Sequence, residues 1–331
     1  MTDLPILAVG VPRVLWQSRR AGLAAAGVGM LAISILIAAS IGAVAIPLAT
    51  VWGVLAHHLT PGWITPDWTA GREAIISDIR FPRAVLAALV GAGLGLTGAA
   101  LQAVTRNPLA DPHLLGISSG GAFGAIAALL QTGLFLGLLT VPLMAFGGAL
   151  VATLMVLAVT QLAGANILIF LGDPKATHTV VFWMLCGLGL AQWSHVVFPL
   201  AVLVPAGLWL QTQSGALNAI SRGDETAASL GIPVARFRLS VFVAGALITG
   251  VMVAFSGIIG FVGLMMPHLV RLVAGGDNAR VLPLSALSGA IFLVWADTLA
   301  RIVMAPEDLP IGIVTGLVGG LFFVWLMARR A

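Results

Sequence analysis

The chain has 331 residues, of which 60% are hydrophobic and 8% charged, against roughly 25% charged in a typical soluble protein. That balance excludes a water-soluble domain of this length and marks a polytopic membrane protein. The net charge of +4 is small and the arginines fall between apolar runs, so the basic balance reflects membrane orientation rather than nucleic-acid binding.

The apolar runs are long and continuous, without the alternation of barrel strands, so the fold class is all-α. The 40 glycines suit close helix approach in a bilayer. A single cysteine, Cys186, excludes an internal disulfide and any multi-cysteine metal site.

Arg13, Arg19 and Arg20 precede an apolar run from Ala21 to about Leu48. A signal-peptide core covers only about 7–15 residues, so this run reads as span 1, with the N-terminus in the cytoplasm. Ala49 to Ile79, with Trp52, Trp63, Trp68, His57 and His58, reads as an external loop with interfacial aromatics. In Arg80-Phe81-Pro82-Arg83 the proline is suited to a helix start, and span 2 follows over 83–105. The internal polar turn from Arg106 to His113 holds Asn107, Pro108, Asp111 and Pro112. Span 3 covers 114–132 and span 4 covers 140–163. Residues 165–171 are apolar but too few to cross a bilayer. A polar turn stands at 172–175, residues 180–192 are apolar again, and 196–210 is a clear span.

Asn218 to Arg238 reads as a cytoplasmic segment. Ser221 and Asp224 form an S-x-x-D capping box, with Asp224 near the positive helix end. Gly231 and Pro233 end that short amphipathic helix. Spans at 239–256, 257–273, 282–304 and 309–328 complete the chain, the second broken at a turn by Pro267 beside His268. On this topology eleven of the 16 lysine and arginine residues lie inside and five outside, which places both termini in the cytoplasm. Leu96-Thr97-Gly98 with Pro108 is echoed by Phe255-Ser256-Gly257 with Pro267, and Ser119 to Phe123 by Ser288 to Phe292. Entering from opposite sides, these halves (about 21–172 and 180–328) read as an inverted repeat, the mark of a transporter.

Gly93-x-Gly95-x-x-Gly98 matches a dinucleotide fingerprint, but no strand precedes it, so helix packing explains it. The chain has one lysine and no phosphate-binding loop, so it is no ATPase by itself, and no catalytic constellation supports an enzyme. Of the histidines only the adjacent His57-His58 pair suits metal or haem contact, and no metal site is assigned. Asp297 and Arg301, spaced i, i+4, read as an in-span ion pair. Arg80, Arg83 and Arg301 share one expected external face and suit bidentate recognition of a partner's carboxylates, with headgroup anchoring as the competing reading.

The chain resembles the permease family that imports iron chelates, haem and cobalamin into bacteria, the transmembrane subunits of type II ABC importers. The resemblance is carried by Ile79 to Arg83, Arg106 to Pro112, Leu115 to Gly120, Gly223 to Ala227 with Leu230-Gly231, Gly260 to Leu264 with Pro267-His268, Ala296 to Arg301, and Leu309 to Gly312. It implies about ten transmembrane helices arranged as in the vitamin B12 permease, in the bacterial inner membrane. It also implies a homodimer, two ATP-binding subunits that hold ATP and magnesium, and a periplasmic binding protein, with no cofactor on this chain. Arg80, Arg83 and Arg301 match the family's docking positions. Ser221, Asp224, Glu225, Ala228, Leu230 and Gly231 match its coupling helix. The expected cargo is an iron compound, haem or ferric siderophore, with cobalamin as the alternative. An ion-coupled secondary transporter would need acidic groups at midmembrane, and Asp297 is the only in-span carboxylate. Only about nine residues separate Ala163 from Gly172, where the family places a fifth span. Either residues 114–172 divide into three compressed spans or a segment is absent.

Overall fold

The computed structural model describes residues 13–42, 44–60, 65–113, 117–132, 135–158 and 187–328. The short apolar stretch at 165–171, the turn at 172–175, and Lys175, His178, Cys186, Arg329 and Arg330 lie outside the described residues. Those described form helices and connecting turns, with no strand among them. Among the described residues, six helices are long and apolar enough to cross a membrane, and four shorter apolar helices accompany them. The protein is therefore an all-α, multi-pass membrane protein.

The first helix, α1 (Arg13–Ser40), covers the expected span 1 from Ala21 but ends at Ser40, short of the expected Leu48. The expected external loop is itself largely helical, as α2 (Leu48–Leu59) and α3 (Ala70–Ala74). A π-helical turn, Ile75–Arg80, joins α3 to α4 (Phe81–Thr105). Pro82 stands in the first turn of α4, as its sequence context implied, but α4 continues a helical run that begins at Ala70. The proline has no N–H to return to Asp78, so the preceding turn widens, and Phe81 N–H reaches back five residues to Ile76 O.

Next come α5 (Ile117–Ala127) with a π turn (Ala128–Thr132), α6 (Thr140–Ala158) and α7 (Trp193–Thr212). Two short helices, α8 (Ser214–Arg222) and α9 (Asp224–Ser229), precede α10 (Val234–Ser256). The chain closes with α11 (Val262–Ala274), α12 (Asn278–Val303) and α13 (Ile311–Ala328).

The centre is α4, which packs on α12, α10, α11 and α7. It is apolar all round and almost wholly buried, as a helix without a polar face must be. Small residues allow this. A methyl on Gly91 would run into the Gly289 carbonyl, one on Gly95 into that of Ser285, and one on Gly98 into that of Gly263. By contrast α1, α7 and α13 leave most of their apolar surface exposed, the arrangement expected of helices facing lipid or another subunit.

Two backbone breaks meet beside α4. Arg106 ends α4 in the left-handed region, and two side-chain caps hold the turn: Leu109 N–H donates to Asn107 Oδ1 (2.9 Å) and His113 N–H to Asp111 Oδ1 (2.7 Å). Residues 257–261 form the second break and bring Gly260 against His113 and Gly263 against Pro112 and Leu94 O. Irregular backbone level with the middle of α4 is tolerated because protein encloses it. Pro267, expected at a turn with His268, lies instead inside α11. Its missing N–H frees the carbonyl of Gly263, four residues back. Gln102 of α4 supplies the replacement, donating from Nε2 to Gly263 O and Leu264 O, both at 3.2 Å. The motif echoes also occupy different places. Gly98 is inside a helix where Gly257 ends one, and Pro108 is in a turn where Pro267 is not.

Candidate functional site

At the Arg83 end, three elements converge: the start of α4, the end of α12 and the end of α1. The last carbonyls of α1 have no helical partner. Arg80 donates from Nη1 to Ala39 O (2.9 Å) and Ser40 O (3.0 Å). Arg301 donates from Nη2 to Ala38 O and from Nη1 to Ile41 O, both at 3.0 Å. Two guanidinium groups thus cap one helix C-terminus, where the dipole also favours positive charge. Arg83 takes the carboxylates. Its Nε lies 3.0 and 3.1 Å from the two oxygens of Asp297 and its Nη2 2.9 Å from Oδ1. Its Nη1 reaches Asp308 Oδ2 at 2.5 Å.

Sequence spacing put Arg80, Arg83 and Arg301 on an outer face, free for a partner's carboxylates. In this structure all three turn inward and each is only 7% exposed. The reason is local supply: buried charge must be paired, and α1 carbonyls and two aspartates lie within reach. The Asp297–Arg301 contact is present, with Nε 3.2 Å from Oδ2, but it lacks hydrogen-bond alignment. The main partner of Asp297 is Arg83. Asp308, absent from the sequence reading, is the half-exposed member of the cluster. Its signal was an acidic residue just ahead of Leu309-Pro310, but nothing local ties it to Arg83. Nearby on the same end, His58 lies 3.2 Å from Glu73, which also accepts from Trp68 Nε1 (3.1 Å). No group of three or more residues suited to a metal occurs among the described residues.

At the Arg106 end, the helix expected from Ser221 onward is split. Gly223, at φ 140° and ψ 152°, separates α8 from α9, a conformation that glycine alone adopts readily. Ser221 is therefore no N-cap. It closes α8, and its hydroxyl donates to Leu217 O (2.7 Å) and reaches Ala103 O of α4 (3.3 Å). Asp224 opens α9, where a carboxylate meets the positive helix end. It accepts from Arg238 Nη2 (3.0 Å), and Arg106 Nη2 stands 3.6 Å away. Arg238 also donates from Nε to Val104 O in the last turn of α4 (3.2 Å). On α9 only Ala227 is buried. Glu225 and Ala228 are exposed, Leu230 is 68% exposed, and Gly231 turns the chain at φ 78°. The result is a small helix clamped to α4 and α10 on one side, with an acidic and apolar face turned off the protein.

The FecCD transport family matches residues 30–166 and 162–329. An uncharacterized ABC transporter permease, YvrB of Bacillus subtilis, is 37% identical over 96% of both chains. The hemin transport system permease HmuU of Yersinia pestis is 35% identical, covering 91% of this chain and 93% of its own. The vitamin B12 import system permease BtuC of Salmonella paratyphi A is 38% identical over 81% and 89%. Among solved structures, a chain described as a metal-chelate type ABC transporter in an inward-facing conformation superposes with a TM-score of 0.79. It is 27% identical and covers 93% of this chain and 99% of its own. The alignment with YvrB runs over 346 positions but covers 96% of 331 residues, so about 28 positions of that relative find no counterpart here. The same arithmetic gives about 22 for BtuC, from 290 positions and 81%. A transmembrane helix takes about 20 residues, and the two family matches meet at 162–166, where the sequence is short.

Proposed function

The chain belongs to the FecCD transport family, and from that premise we propose that it is the permease subunit of an ATP-driven importer in the bacterial inner membrane. Two copies would pair around the translocation path, with both termini and the Arg106 end in the cytoplasm. ATP and magnesium belong to two separate ATP-binding subunits. A periplasmic binding protein delivers the ligand to the Arg83 end. With Arg80 and Arg301 turned inward onto backbone carbonyls between Ala38 and Val44, and Arg301 also beside Asp297, docking there is assigned to Arg83, which would exchange the half-exposed Asp308 for a carboxylate of the binding protein. The cargo we assign is an iron compound, haem or a ferric siderophore. The hemin permease relative and the metal-chelate neighbour support that reading, while the vitamin B12 relatives support cobalamin as the second.

The observation that carries the proposal is the outward face of α9, with Glu225, Ala228 and Leu230 exposed while Asp224 and Ala227 hold the helix to the body. ATP-driven motion of a partner would push on this face and move α4 and α10 with it, so this chain needs no nucleotide of its own. Glu225→Arg combined with Leu230→Asp tests it. The ATPase subunit should no longer co-purify while the permease is made at normal abundance. Retained ATPase and retained uptake would rule this face out as the coupling surface.

A further inference from the structure

We infer that Asn218 is a positioning residue that fastens the ATPase-facing segment to α12 through a three-bond clasp with Asp277 and Asn278. The inference rests on the importer reading above. Asn218 lies on α8, one turn before Ser221. Its Oδ1 accepts from the backbone N–H of Asn278 (2.8 Å) and from Asn278 Nδ2 (2.9 Å). Its Nδ2 donates to Asp277 Oδ1 (2.8 Å). Asn278 is 2% exposed, so water does not replace a lost partner. The amide donates from one atom and accepts at the other, and a carboxylate in its place could only accept. Gln211 of α7 adds a parallel tie, donating to Ala279 O (3.0 Å).

The clasp sits where it can act on transport. Asp277 is the N-cap of α12, and its side chain accepts from Ala279 N–H (3.1 Å). The far end of the same helix carries Asp297, held by Arg83 of α4. Between the two ends α12 lies backbone-to-backbone against α4 at Gly91–Gly289 and Gly95–Ser285. Meanwhile α8 and α9 are tied to the last turn of α4 through Ser221 and Arg238. A displacement of the ATPase-facing segment is thus applied to both members of one close-packed helix pair. Asn218 supplies the shortest bonds from this segment to α12, with Ser221 Oγ accepting from Asn278 Nδ2 at 3.5 Å beside it.

The test uses the assembled complex in proteoliposomes and reads ligand moved per ATP hydrolysed, at equal permease abundance and equal bound ATPase. Asn218→Asp removes the donor and sets two carboxylates face to face. The ratio should fall about tenfold, the scale of one buried polar group left unpaired. Asp277→Asn alone keeps the cap and the acceptor, and should leave the ratio unchanged. Combined with Asn218→Asp it can turn its amide nitrogen toward the new carboxylate, giving up the Ala279 cap that the same Asp277 oxygen serves, and should recover a clear part of the lost ratio. An unchanged ratio in Asn218→Asp, or no recovery in the double variant, would overturn the clasp. Wild-type protein that binds no ATPase would overturn the importer reading itself, and the clasp with it.

Discussion

Arg83 and Asp297 meet across 214 positions of sequence and are both enclosed, with 8% and 1% of their side chains exposed. A buried pair contributes little against an apolar pair of equal volume, but breaking it leaves an uncompensated charge. Asp297→Ala should therefore cost about 3–5 kcal/mol, and Arg83→Leu a similar amount. The double Arg83→Leu/Asp297→Leu should cost less than the sum of its parts. Thermal unfolding of the four forms in one detergent measures this, and strictly additive losses would show that the pair is not coupled. The sequence exposed the near neighbour, Arg301, because i, i+4 spacing is visible in a string. It hid Arg83, because no periodicity links positions so distant. It also gave no sign that Arg80 and Arg301 cap α1, since orphan carbonyls carry no residue signature.

At the scale of elements, apolar length located the helices well. Span 2 as read begins two residues after the observed start of α4 and ends with it, and the last two spans differ by a few residues. At two prolines the local structure is set by the missing donor rather than by a helix end. Pro82 widens a turn within a continuous helical run of 36 residues, Ala70–Thr105, and Pro267 leaves α11 intact because Gln102 satisfies the freed carbonyl. Gln102, a lone amide in an apolar run, also accepts from Arg271 Nη1. Gln102→Met keeps volume and removes all of these bonds. It should destabilise the protein by about 1–3 kcal/mol, seen as a lower thermal midpoint. An unchanged midpoint would mean that water already serves those carbonyls. The Ser221 box failed for a different reason: the glycine inside it, at a backbone angle other residues avoid, outweighs a serine's capping preference.

The whole molecule is a helix pair, α4 and α12, wrapped by helices whose exposed faces are apolar. One end carries the Arg83 ion cluster and the other a short helix that turns Glu225, Ala228 and Leu230 outward. Composition made the membrane class legible, and the motifs from Ile79 to Gly312 made the family legible, because both are properties of short windows. The cargo was not legible, since relatives for haem and for vitamin B12 match at similar identity. The apolar run at 165–171 was visible as too brief to cross a bilayer, and it lies outside the described residues. The most direct measurement is uptake into proteoliposomes holding this chain and its ATPase, with the cognate binding protein loaded in turn with haem, a ferric siderophore and cobalamin. The account predicts accumulation of an iron compound that requires ATP on the ATPase side and stops when either partner is omitted. Accumulation driven by an ion gradient without ATP, or undiminished without the ATPase, would contradict it.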